Sequence, residues 1–384
     1  MALKADLKKI LLFVDWFYPG YKAGGPIQSC RNFIAALEND YRIDVITSDR
    51  DLGDTKPYAT IRANEWNAYT GSARVYYTAS LDAGLIQELV KASAPDFIYL
   101  NSMFSYRFTI LLLALKWGKR ISAPVIVAPR GMLQEGALQF KPSKKKLFIG
   151  LLNLSRLPDK LVFHATDAQE KADIQKAFPS AARVVCIPNF TRNGHEPLKQ
   201  VKKKSGELRC VYVSRLAPKK NLLYFLRLLG KIPGAPVISF VIRGEIEDKT
   251  YWQQCRQAID ALPGNISIRF DGPVQNDVII PFLQEHHLFV LPTLGENFGH
   301  AIFEALAAGR PVLISDKTPW VELASKKAGW DIPLENETGF MAALQTMAAM
   351  DQPEYNEWCN GAWQLANHQA TQTELKQQYL KLFN

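Results

Sequence analysis

Two carboxylates eight positions apart, Glu296 and Glu304, stand in the run Gly295-Glu-Asn-Phe-Gly-His-Ala-Ile-Phe-Glu-Ala-Leu-Ala-Ala-Gly309. The preceding Leu288-Phe-Val-Leu291 reads as a buried strand, and the apolar spacing after Phe298 reads as an amphipathic helix that stops at Gly309-Arg310-Pro311. Glu296 therefore precedes a helix and Glu304 lies inside it. Asn297, Phe298 and the small Gly299 form the turn between, where a phosphate could meet N–H groups that lack intrahelical partners at the positive end of the helix dipole. A diphosphate fits such a junction, with Glu296 facing a sugar and Glu304 reaching ribose hydroxyls. The plain alternative is a helix-capping acid at Glu296 and a solvated charge at Glu304; spacing alone leaves both open.

Upstream, Cys210-Val-Tyr-Val-Ser-Arg-Leu-Ala-Pro-Lys-Lys-Asn221 puts Arg215 at a strand end and Lys220 five residues on, at an expected helix start. A guanidinium and an ammonium so placed can aim at one anion. Cations at a helix start oppose its dipole, which favours an anionic ligand over a plain basic turn.

The whole phrase from Glu296 through Gly309-Arg-Pro-Val-Leu-Ile-Ser-Asp316 resembles the Glu-x7-Glu signature of the family 4 retaining glycosyltransferases. The likeness is strongest over residues 205–325 and extends more loosely over 1–190. It implies an α/β chain of GT-B architecture, two Rossmann-like domains facing across a cleft, and transfer of a hexose-type sugar from a nucleotide-diphosphate donor with retention. In that family Arg-x4-Lys neutralises the donor diphosphate, which falls here on Arg215 and Lys220, with Glu296 beside them in the chemistry. Gly24-Gly25 after the first strand would let backbone approach a phosphate or sugar. Backbone near Arg243 and Val274 would meet the base. Pro129-Arg-Gly-Met-Leu133 resembles a subset of bacterial polysaccharide transferases and has Arg130 where the family often has histidine. Arg130 is then an acceptor-phosphate contact or a structural ion pair, and His164, at the next strand end, is an acceptor-side or a structural residue. No carboxylate is an obvious nucleophile, so front-face departure stabilised by the basic pair is expected. Uridine donors are preferred, with guanosine-diphosphate mannose second, and the acceptor is a glycan or lipid-linked glycan of cell-surface polysaccharide synthesis. A nucleotide-sugar epimerase of similar architecture and a non-catalytic nucleotide-sugar-binding protein are the alternatives.

Asp49-Arg50-Asp51 matches the Asp-x-Asp metal motif of the other major glycosyltransferase fold. It follows the second strand of the acceptor-side domain, while Arg215 and Lys220 already supply the charge an ion would bring. No catalytic metal and no cofactor besides the donor are expected.

Of the net +9, residues 1–190 carry 25 Lys and Arg against 17 Asp and Glu, whereas residues 191–384 carry 21 against 20. The basic first half wants a polyanion. No zinc-ligand pair or ribonucleoprotein signature appears, so an anionic lipid or lipid-linked acceptor is expected rather than nucleic acid. Lys144, Lys145 and Lys146 beside Leu147–Leu154 suggest peripheral docking on an anionic membrane, or a core-facing helix with a solvated start. Five scattered cysteines with no Cys-x-x-Cys point to a reducing cytoplasm. The first residues read as neither signal nor transit peptide, and no apolar run reaches the roughly 18 residues of a membrane span.

What must position these groups is an alternation of short apolar runs with helical spacing. Lys9–Asp15, Ile43–Thr47, Asp96–Leu100, Pro124–Ala128 and Leu161–His164 form one series; Leu208–Ser214, Val237–Ile242, Ile266–Phe270, Leu288–Leu291 and Pro311–Ser315 form a second. At 384 residues the chain suits two cores. An acceptor-side domain is placed at 1–190 and a donor domain at 205–370, with a polar linker between and a last helix within 371–384 that could pack back on the first domain.

Overall fold

Each central strand is apolar on both faces, so each sheet must be covered on both sides, and parallel strands with crossover helices achieve this. The computed structural model describes residues 7–138, 142–191, 197–232, 236–367 and 372–384. Residues 192–196 of the expected linker, Lys141 and Thr371 lie outside that description. Chain contacts divide the protein into two units, Met1–Arg192 with Ala370–Asn384, and Asn193–Gln369.

In the first unit β1 (Lys9–Phe13), β2 (Arg42–Ser48), β3 (Trp66–Ala68), β4 (Arg74–Thr78), β5 (Phe97–Leu100), β6 (Val125–Val127), β7 (Val162–Ala165) and β8 (Arg183–Cys186) form one sheet. The order is β3-β4-β2-β1-β5-β6-β7-β8, antiparallel only between β3 and β4. β1 shows the layering. Leu11 and Phe13 join a cluster with Ile98 and Phe163, while Ile10 and Leu12 join another with Ile34 and Leu37 from helix Gly25–Leu37. The terminal helix Gln372–Leu382 enters this second cluster through Leu375, Tyr379 and Leu382, followed by Phe383. Tyr379 stacks on Phe190 with ring centres 4.4 Å apart.

In the second unit β9 (Glu207–Val213), β10 (Val237–Arg243), β11 (Ile266–Phe270), β12 (Leu288–Leu291), β13 (Val312–Ser315) and β14 (Gly329–Ile332) form a wholly parallel sheet ordered β11-β10-β9-β12-β13-β14. The expected two-domain parallel α/β class is borne out. β3, β4, β8 and β14 were not expected. They flank the sheets and are shorter or more polar, so no continuous apolar run marks them.

Both sheets reverse strand order beside their first strand, at β1/β5 and at β9/β12. Loops leaving the carboxyl ends of such neighbours diverge and open a ligand crevice. Gly24 follows β1, Arg215 and Lys220 follow β9 and Glu296 follows β12, whereas Arg130 and Val274 follow β6 and β11, Arg243 ends β10 and His164 lies within β7.

Candidate functional site

In the second unit the loop after β9 and the loop after β12 are sewn together. The Leu294 N–H donates to the Lys219 carbonyl at 2.8 Å, and the Thr293 hydroxyl donates to the same oxygen at 3.1 Å. On the other side Glu296 N–H donates to Lys317 O at 2.9 Å, and Trp320 Nε1 donates to Phe298 O at 2.7 Å. The turn is thereby held from both neighbours. Gly299, at φ 76°, precedes helix His300–Ala307, and a Cβ there would stand 2.9 Å from Ile302 Cδ1. The helix begins at His300, directly after this turn. Glu304 lies within it, buried.

This sewing unites Lys220 with Glu296. The ammonium nitrogen and carboxylate oxygen are 2.5 Å apart, with side chains 13% and 12% exposed. Burial alone would raise the Glu296 carboxyl, but the Lys220 charge and hydrogen bond, helped by Lys219 and Thr293, outweigh it and hold the group below the usual glutamate value. Lys220 does not begin a helix as expected. It closes the 3₁₀ turn Pro218–Lys220, and Asn221 at φ 57° separates it from helix Leu222–Leu229. The left-handed residue turns the chain so that the ammonium meets Glu296.

Arg215 stands on the same loop with a different partner. Its Nη1 donates to Glu247 Oε2 at 2.6 Å, and both side chains are over a third exposed. Glu247 was not anticipated; its signal was the acidic Arg243-Gly-Glu-Ile-Glu247 stretch following a strand. The two loops touch closely. Ser214 N–H donates to Arg243 O, Leu216 N–H to Glu245 O, and a Cβ on Gly244 would lie 1.8 Å from Ser214 O. The Arg243 guanidinium turns away toward Pro273 O at 3.1 Å and lies over the Phe282 ring, and Val274 is buried. Any contact of theirs with a base would fall to the backbone.

In the first unit Gly24, at φ 67°, caps helix Gly25–Leu37, and a Cβ on it would meet nothing within 4 Å. The loop before it is shaped by Asp51, which accepts N–H bonds from Tyr21 at 2.7 Å, Lys22 at 3.1 Å and Leu52 at 2.8 Å. Asp49 is gripped by the Arg50 guanidinium at 2.7 Å. Both carboxylates are buried and already engaged in holding backbone or an arginine. Past β1, Asp15 accepts from Ser105 Oγ at 2.6 Å. Burial raises this carboxyl above its ordinary value, with Ser105 partly offsetting the rise. The sequence reading passed over it because a lone aspartate at a strand end has no spacing to mark it.

Arg130 and His164 belong to one relay that runs from a half-buried arginine to a buried histidine, and the ion pair considered for Arg130 is replaced by neutral acceptors. Its guanidinium donates to Asn101 Oδ1 at 2.7 Å, to Asn189 Oδ1, and to Tyr99 Oη at 2.8 Å. Tyr99 donates in turn to His164 Nδ1 at 2.5 Å, and His164 Nε2 donates to Ile187 O at 2.8 Å. His164 is fully buried with both nitrogens taken. It offers nothing to an acceptor; the ring anchors Tyr99 beneath Arg130. Burial, then the Arg130 charge, lower it to about 3, so it stays neutral.

The chain also resembles known proteins. Residues 207–350 match the family model of glycosyl transferases, group 1. An uncharacterised glycosyltransferase of Methanocaldococcus jannaschii is 26% identical over 172 residues, 41% of this chain, which spans 43% of that relative's length. Sucrose-phosphate synthase from Thermosynechococcus elongatus superposes with a TM-score of 0.73 at 15% identity over 98% of both chains. HepE of Anabaena, in complex with UDP and glucose, superposes at 0.68 and 16% identity, over 98% of this chain and 99% of that one. At such identities the likeness is one of fold, the GT-B fold of two parallel-sheet domains.

Proposed function

We propose that the protein is a retaining glycosyltransferase that moves a hexose-type sugar from a nucleotide-diphosphate donor to a glycan or lipid-linked glycan of cell-surface polysaccharide. The Lys220–Glu296 pair carries this reading. It stands at the strand-order reversal of the second sheet, beside the Gly299 helix start, within the stretch that matches the group 1 glycosyl transferases. Lys220 and the partly exposed Arg215 supply positive charge for a departing diphosphate, and Glu296 orients the Lys220 ammonium while standing within reach of a sugar. Glu304 and the turn Asn297-Phe298-Gly299 serve the nucleotide and its phosphates. A uridine donor is preferred, supported by the UDP-bound HepE neighbour, and guanosine-diphosphate mannose is second.

The reaction is metal-independent in this reading, supported by the two cations at the site and by the structural engagement of Asp49 and Asp51. We place it in the reducing cytoplasm at an anionic membrane surface, supported by five free thiols and the basic first half.

The test is a panel of nucleotide sugars scored by thermal shift and then by transfer, with and without acceptor and chelator. Stabilisation by one donor with acceptor-dependent release of nucleotide is expected, and the product keeps the donor's anomeric configuration. Conversion of the donor without acceptor would mark an epimerase, binding without turnover a binding protein, and loss of activity in chelator restored by magnesium a metal enzyme.

A further inference from the structure

Helix Pro142–Leu154 is apolar on two opposite faces. One face carries Phe148, Ile149 and Leu152, which pack inward; Leu152 is buried and Phe148 meets Phe104 with ring centres 5.9 Å apart. That is the ordinary core-facing stripe of an amphipathic helix. The other face should be polar. Instead Leu147, Leu151 and Leu154 stand 65%, 57% and 82% exposed, a stripe roughly 10 Å long at 1.5 Å per residue.

A second segment, packed into the same buried cluster, also exposes large apolar side chains. The π-helical turn Tyr106–Ile110 leads into helix Leu111–Trp117, and Tyr106 and Trp117 are 66% and 64% exposed. It contributes Phe108, Leu112 and Leu113 to the same buried cluster as Leu152. At one end Lys145 lies over the Phe104 ring at 5.3 Å; at the other, Lys116 is lowered first by burial and then by the nearby Lys160 charge. Half of the ten large exposed hydrophobics among the described residues thus fall on two adjoining helical segments. Basic residues border them: Lys144 and Lys146 open the helix, Arg156 and Lys160 follow it, and Lys119 and Arg120 follow Trp117, all exposed. Over residues 142–160 five Lys and Arg face one acid, Asp159, and residues 103–123 contain no acid.

We propose that this leucine stripe, with Tyr106, Trp117 and the surrounding lysines and arginines, docks the protein on an anionic lipid bilayer. Apolar side chains ringed by cations match an interface of acyl chains below anionic headgroups, and a charged protein partner would leave the leucines uncovered. No helix among the described residues is long and apolar enough to cross a membrane, so the contact is peripheral. Docking would bring the chain to a lipid-linked acceptor, the one point at which it rests on the transferase reading. Flotation needs neither donor nor turnover, so the two fail separately.

The full chain is floated with phosphatidylcholine vesicles with and without phosphatidylglycerol, at low and high salt. Binding is expected only with the anionic lipid and weakens with salt. Combined Leu147→Asn, Leu151→Asn and Leu154→Asn should cut partitioning at least tenfold. Lys144→Gln with Lys146→Gln should cut it about fivefold per lysine. Both variants alter exposed positions; should the leucine variant unfold, the lysine variant with an unchanged melting temperature carries the test. Equal flotation on neutral vesicles, or variants that float like the parent, overturns the proposal. So does a dimer in sedimentation that the leucine variant splits, which would assign the stripe to a second copy of the chain.

Discussion

At the scale of single residues, the Lys220–Glu296 pair separates stability from chemistry. Its side chains are about one-eighth exposed, so removing one partner leaves a nearly buried charge, at a cost on the order of 3–5 kcal/mol. Lys220→Met alone should show that loss in denaturant unfolding, and Lys220→Met with Glu296→Gln should recover most of it. Turnover should stay down by roughly two to three powers of ten in both. A double variant that regains stability and transfer together would make the pair mere scaffold. The Arg215–Glu247 pair is exposed enough to contribute under about 1 kcal/mol. Arg215→Ala should therefore melt like the parent yet lose roughly two to three powers of ten in turnover; full turnover in the folded variant counts against its role. His164 and His287 contribute to acid behaviour. Burial first, with nearby arginines, lowers each from 6.5 to about 3, so the unfolded chain takes up protons that the folded chain refuses. Their contribution is full above pH 6.5 and is lost as pH falls toward 3, about 1.4 kcal/mol per unit for each. Denaturant midpoints measured between pH 7 and 4 should fall accordingly, and a flat profile would contradict the buried neutral rings.

At the scale of elements, the donor-side loops depend on how closely β9 and β10 end together. Gly244 sits at φ 154° with Ser214 O where a Cβ would be, whereas Gly206, at φ 87°, has open space around it. Gly206→Ala meets only backbone strain, roughly 1–3 kcal/mol. Gly244→Ala must also push the Arg215 loop off the Glu247 loop. It should lose more stability than Gly206→Ala and also lower donor affinity, read by unfolding and calorimetry. Equal losses in the two variants would mean that the loops part without consequence. The strand-to-loop positions of Arg215 and Glu296 were legible because parallel strands buried on both faces are short continuous apolar runs. β4 and β14 escaped because Arg74-Val-Tyr-Tyr-Thr78 and Gly329-Trp-Asp-Ile332 mix polar groups into that run.

For the whole molecule, the end of the chain belongs to the beginning. Leu375, Tyr379, Leu382 and Phe383 complete a cluster built on β1, β2 and helix Gly25–Leu37, and the Tyr379 hydroxyl donates to Pro188 O at 3.1 Å. Deleting residues 372–384 should lower the first unit's thermal transition and leave the second unit's in place, read by calorimetry. A single unchanged transition would deny the helix that role. By itself the sequence determined the alternation of strands and helices, the two series of strands and the Glu296-to-Glu304 turn, because each is written in residues only a few positions apart. Only the tertiary structure decided that Lys220 meets Glu296 across 76 positions, that His164 is sealed beneath Arg130, and which leucines of Pro142–Leu154 face outward. Periodicity says that a helix has an apolar face. Which face is covered depends on what distant strands and loops bring against it.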